Sequence, residues 1–146
     1  MNFTQEEKQA ANGTLRLELK RNGVVFQVIT EKNLVVNGGK SALARLLGGD
    51  VTGRSIDRVA VGTNGTAAAL TDTAITGAVT VAATATYPTA TSVRFSFTVP
   101  TGTANGMNLR EFGLLTAGGA LFARRVTGLI EKTSDLEING TWTINF

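Results

Sequence analysis

The sequence contains no cysteine and no histidine. Without cysteine there is no disulfide framework, and without either residue the common zinc sites lose their thiolate and imidazole ligands. Ser-His and Cys-His nucleophile pairs are excluded for the same reason. Proline occurs only at Pro88 and Pro100, and the aromatic side chains are seven Phe, one Tyr and one Trp. No apolar run approaches the roughly 20 residues that a membrane helix needs. The start, Met1 to Ala11, is polar, with Glu6, Glu7 and Lys8, and has no apolar stretch of the kind a secretory signal carries. The expected compartment of synthesis is therefore a reducing cytoplasm. The Asn-Gly-Thr sequons at Asn12, Asn64 and Asn139 then read as turns, not glycan acceptors.

A chain of 146 residues fits one domain. At this size roughly 68–70% of the unfolded surface is buried on folding, so no metal or disulfide is needed to hold it together. The net charge is +3, and the only adjacent basic pairs are Lys20-Arg21 and Arg124-Arg125. A nucleic-acid binder concentrates such charge on one face. Scattered as it is here, it argues for a solvated mixed surface, and direct nucleic-acid binding is not expected.

What is abundant is Gly, Thr and short apolar runs. Six Asn-Gly pairs, at Asn12, Asn22, Asn37, Asn64, Asn105 and Asn139, suit the type I′ turns of β-hairpins. Leu15, Leu17 and Leu19 alternate with Arg16, Glu18 and Lys20, as in a half-buried strand. Arg21-Asn22-Gly23 makes the turn, and Val24 to Thr30 returns with Val24, Phe26 and Val28 on one face. Lys40 to Leu47 reads as a short helix entered through Asn37-Gly38-Gly39, with Leu43, Leu46 and Leu47 as its apolar stripe and Gly48-Gly49 as its stop. Strands are expected at Ile56–Val61, Ser92–Val99, Leu109–Leu115, Ala120–Val126 and Gly140–Phe146, the last with Trp142, Ile144 and Phe146 inward. The Thr/Ala-rich stretch Thr66 to Thr91 is expected to hold an exposed strand and a mobile loop.

The fold class is mainly β: an antiparallel β-sandwich or jelly-roll-like barrel with one short α-helix at about residues 39–47. Residues 1–13 read as a flexible N-terminal arm and 14–146 as a single β domain.

Candidate chemistry is sparse. Gly38-Gly39-Lys40-Ser41 precedes a helix as a phosphate loop does, but the Gly required five residues before Gly39 is Leu34, so it reads as helix entry. Asp57, Asp72, Glu111 and Asp135 have no EF-hand spacing, and Asp72 reads as a turn former. No catalytic, cofactor-binding or metal-binding residue is identified, and the chain is read as a non-enzyme without cofactors. Arg124 and Arg125 are neighbours on a strand and point to opposite faces, with Arg124 on the side of Phe122. Two readings of Arg124 stand side by side. In one, either arginine pairs with a carboxylate at a strand edge. In the other, Arg124 bridges to Glu111, within the subunit or across a subunit contact. The polar run Glu131-Lys132-Thr133-Ser134-Asp135 reads as a solvated loop.

Several landmarks occur in a characteristic order. These are Asn33-Leu34-Val35-Val36-Asn37-Gly38-Gly39 before a helix, Val59-Ala60-Val61-Gly62-Thr63 and Leu70-Thr71-Asp72-Thr73. They continue with Arg110-Glu111-Phe112-Gly113-Leu114-Leu115, Ala120-Leu121-Phe122-Ala123-Arg124 and Glu131-Lys132-Thr133. This order resembles small bacteriophage virion structural proteins, including the N-terminal domain of phage tail-collar fibre proteins and capsid decoration proteins. The resemblance covers about residues 33 to 146. It departs from the fibre pattern in the added hairpin Thr14–Thr30 and in ending at Phe146 with no fibrous region. It implies a structural subunit of the virion, made in the host bacterial cytoplasm. Such a subunit is a decoration or cement protein, or a tail or baseplate adaptor. Its partners would be major capsid or tail proteins and further copies of itself, a trimer being favoured, with no membrane and no cofactor. Two docking devices are expected, the polar arm and exposed edges in the Thr/Ala-rich region. The alternative function is a carbohydrate-binding β-sandwich for host attachment, with Tyr87 as the exposed aromatic.

Overall fold

The structure is a computed structural model that describes residues 11–146. Of the arm read at residues 1–13, the part up to Ala10 lies outside the described residues. Asn12 and Gly13 already belong to the first strand. The described elements are β1 (Asn12–Arg21), β2 (Val24–Val35), α1 (Asn37–Leu47), β3 (Ile56–Gly62) and β4 (Val79–Thr86). They continue with β5 (Ser92–Val99), β6 (Asn108–Thr116), β7 (Leu121–Glu131) and β8 (Leu136–Asn145).

Every pairing is antiparallel, and the strands close into a barrel in the order β1-β2-β7-β6-β3-β4-β5-β8. Two strands turn the corners by changing partner. β4 pairs through Val79–Ala82 with β3 and through Ala83–Thr86 with β5. β2 pairs along most of its length with β1 and reaches β7 only through Leu34 and Val35. The edge of β2 from Val24 to Asn33 that faces β7 therefore has no ladder partner among the described residues.

Alternation fills the barrel. Leu15, Leu17 and Leu19 of β1, Phe95, Phe97 and Val99 of β5, and Ile138, Trp142 and Ile144 of β8 are all buried in one core. The indole Nε1 of Trp142 donates to Asn33 Oδ1 at 2.8 Å, which satisfies its polar end inside the core. A smaller apolar cluster, Val36, Ala60, Ile75 and Leu121, lies between the outer face of the barrel and the segment from Thr63 to Ala78.

The Asn-Gly pairs are not all turns, and Asn37-Gly38 opens the helix described below. Asn22-Gly23 forms the expected hairpin turn, both residues at positive φ. Asn12-Gly13 and Asn139-Gly140 are not turns but lie within β1 and β8. Gly140 sits under the Phe97 ring, which fills the space a Cβ would take. The Asn33 side chain covers Gly13 in the same way. These glycines make room for a neighbour across the sheet.

Helix α1 begins at Asn37, two residues before the expected start. Its buried face is Gly39 and Ala42, flanked by half-buried Leu43 and Leu46, while Leu47 is 90% exposed. Close approach decides the face. Cβ atoms on Gly38 or Gly39 would collide with the Leu121 and Phe122 carbonyl oxygens of β7, so the helix packs through its glycines. Gly49, at φ +87°, ends it.

Two more expectations fail at the ends of strands. Phe146 lies beyond β8 and is 61% exposed. Val24, Phe26 and Val28 are exposed, and a β-bulge at Phe26, between the pairs Leu19–Gln27 and Lys20–Val25, breaks their alternation.

Candidate functional site

The sequence-predicted pair comes together on the outer face of the barrel. Leu114 and Ala123 pair across β6 and β7 and both belong to the core, so the next pair, Gly113–Arg124, faces outward. Phe122 is inside, not on the same side as Arg124 as simple alternation requires. The reason is a bulge. Leu114 pairs with Ala123 and Leu115 with Leu121, which leaves Phe122 as an extra residue and inverts the facing on either side of it.

Arg124 Nη2 donates to Glu111 Oε2 at 3.0 Å, with both side chains fully withdrawn from solvent. Arg124 Nη1 donates to Asp72 Oδ2 at 3.0 Å, and Nη2 also donates to the Asn64 carbonyl at 3.0 Å. Glu111 Oε1 accepts the Thr76 amide at 2.8 Å. Asp72 is the expected turn former, since its Oδ2 accepts the Ala69 amide at 2.8 Å. The cluster is thus a clamp. One guanidinium and two carboxylates hold Asn64, Asp72 and Thr76 of the connecting segment onto the sheet. The expected mobile loop is tied down at each of these points and packs Ile75 beneath itself. Gly62 and Gly113 leave the space, since a Cβ on either would run into Ile75.

The other candidate carboxylates are elsewhere. Asp57 pairs with Arg58 at 3.2 Å and Asp135 with Arg21 at 3.5 Å. Asp135 also accepts a hydrogen bond from the Thr133 hydroxyl, which, with help from Arg21, keeps its carboxyl below the usual range. Among the described residues no three carboxylates gather as a metal site would need. Arg125 reaches across the open seam between β7 and β2, donating to Glu31 Oε2 at 2.8 Å and to the Lys32 carbonyl at 3.1 Å. A surface cleft of about 550 Å³ lies along this seam, lined by Lys32, Leu34, Ala67, Arg124 and Arg125. The guanidinium of Arg124 is already matched by two carboxylates and that of Arg125 by one. Lys32 is the one cation of the cleft without a carboxylate partner among the described residues.

Sequence reasoning missed Lys132. It lies in the connection between β7 and β8, where Thr133, Ser134 and Asp135, like Glu131 before it, are exposed as expected. Its own side chain is buried, and its ammonium donates to the Asn105 Oδ1 at 2.8 Å, the Thr133 carbonyl at 3.0 Å and the Thr101 carbonyl at 3.3 Å. Burial pushes its pKa below the ordinary 10.5, with Asp135 opposing. The only available signal was the polar run itself, which looks the same whether its lysine points out or in. The Gly38-Gly39-Lys40-Ser41 stretch is helix entry, with its glycines closed against β7 carbonyls, leaving no space there for a phosphate.

Among the described residues no helix is long and apolar enough to cross a membrane. No protein-family model matches the chain, and no curated protein or solved structure matches it either.

Proposed function

We propose that the chain is a non-enzymatic structural subunit of a bacteriophage particle. It docks on a capsid or tail surface as a decoration or cement protein, or as a tail or baseplate adaptor, and it self-associates. The observation that carries the docking part is the free edge of β2. Val24, Val25, Phe26 and Val28 are exposed there, and Phe26 and exposed Leu129 line one shallow cleft where β2 and β7 part. A strand edge with no ladder partner, bearing grouped apolar side chains, is the kind of surface that soluble proteins use for, or protect from, association. The bulge at Phe26 twists this edge, and Arg21 lies over the Phe26 ring at 4.6 Å. Contact through side chains suits this edge better than extension of a flat ladder. The Thr/Ala-rich region also holds an unpaired edge among the described residues, since Val79–Ala82 pair only with β3 and Ala83–Thr86 only with β5, but its side chains are small. The particle assignment rests on the resemblance of the ordered landmarks from Asn33 to the C-terminal strand.

Light scattering on the purified chain tests the association. The wild type is expected as a homo-oligomer and Val28→Lys as a monomer with unchanged circular dichroism. A monomeric wild type contradicts the reading. The carbohydrate-binding alternative draws on Tyr87, which is 77% exposed. Glycan-array binding lost in Tyr87→Ala would favour it.

A further inference from the structure

The barrel interior is filled with side chains, but the end beside α1 is not closed. Leu43 and Leu46 of the helix, Ile56, Val93, Phe95, Phe122 and Ile144 surround a cavity of about 230 Å³ there, with Tyr87 and Phe146 at its rim. Its wall is apolar except at one place, where Arg54 and Ser55 contribute. Arg54 Nη2 reaches Asp50 Oδ2 at 3.4 Å, and Arg45 reaches the same oxygen at 3.6 Å. Two guanidiniums thus share one carboxylate, which leaves one positive charge uncompensated in this group. The Arg54 Nε is buried and has no acceptor among the described residues. Arg58 Nε and Arg125 Nε lack a hydrogen-bond partner in the same way, so what sets Arg54 apart is that it lines this apolar cavity beside the shared carboxylate.

We infer that this cavity is a binding site for a small amphipathic monocarboxylate, its aliphatic or aromatic body in the cavity and its carboxylate on Arg54. Size sets the class. An apolar cavity of about 150 Å³ takes up benzene, so this one suits a body of roughly eight or nine carbons. It is smaller than the 300–1,000 Å³ typical of sites for larger cofactors and drug-like ligands. Charge sets the head group, since an arginine donor recognises a carboxylate better than a hydroxyl. The site stands apart from the β2 edge, so its failure leaves the docking reading intact.

Octanoate and 1-octanol are the probes, titrated into the full chain while methyl NMR signals are followed. Octanoate saturates shifts confined to Leu43, Leu46, Ile56, Val93 and Ile144. Octanol moves the same signals about tenfold more weakly, the equivalent of one charge-assisted hydrogen bond. Arg54→Gln brings octanoate down to octanol's affinity and leaves octanol unchanged. Absence of saturation up to about 10 mM, a weak affinity for a ligand of ten heavy atoms, overturns the inference. So does equal affinity for the two probes in the wild type, or shifts spread over other surfaces.

Discussion

Removing the Arg124 guanidinium strands the Glu111 carboxylate, which has no exposure to solvent. An uncompensated buried charge is far more costly than a missing ion pair at the surface. Arg124→Ala is expected to destabilise the fold by about 3–5 kcal/mol in urea denaturation. The double variant Arg124→Met, Glu111→Leu is expected to recover much of that loss, because no lone charge remains. Asp72→Asn, at a carboxylate a quarter exposed, is expected to cost about 1 kcal/mol or less. Lys132 makes a different prediction. Lys132→Met leaves the Thr101 and Thr133 carbonyls and the Asn105 amide oxygen without their donor, at about 1–3 kcal/mol. Its pH dependence has a definite sign. Burial lowers the folded-state pKa below the ordinary 10.5, so above the folded value the unfolded chain binds more protons. The Lys132 contribution to stability then grows as pH rises through the folded pKa towards 10.5, and denaturation midpoints of Lys132→Met lack that rise.

At the scale of elements, alternation was the legible signal. Burial follows the expected alternation from Phe95 to Val99 in β5 and from Gly140 to Ile144 in β8, because a strand with one dry face must keep period two, although β8 begins at Leu136, four residues before the expected start. Bulges were not legible. The extra residues at Phe26 and Phe122 carry no mark of their own, and each reverses the facing of the residues beyond it. Hence one of the two readings of the sequence paired Arg124 with Glu111, but alternation put Arg124 on the face of Phe122. The partners Asp72 and Asn64 were hidden for another reason. They are 52 and 60 residues away along the chain, and only the closed sheet brings them near. Glycines were ambiguous in the same way, since Asn139-Gly140 has the composition of a turn and the position of a strand. Gly140→Ala tests that assignment. Its Cβ would overlap the Phe97 ring, and a loss of about 1–3 kcal/mol with a repacked Phe97 is expected from overpacking. A change near zero, read by thermal denaturation, would mean that Phe97 does not lie over β8.

For the whole molecule, the clamp and the open seam are complementary. The Glu111–Arg124–Asp72 group fixes the long connecting segment on one outer face, so this side of the barrel is a rigid surface. The β2 edge opposite β7 has no ladder partner among the described residues, and Val24, Val25, Phe26 and Val28 are exposed along it. A subunit that associates through that edge is expected to protect it. Amide exchange at Val24–Thr30 slows in the oligomer and speeds in Val28→Lys, while exchange in β8, paired on both sides, is unchanged.

Cryo-electron microscopy of particles purified from cells that produce the chain puts the central claim to the test most directly. Eight-stranded barrels at regular positions on the shell or tail are expected, with Val24, Phe26 and Val28 covered by a neighbouring protein. Particles without this density, or barrels whose β2 edge faces open solvent, would contradict it.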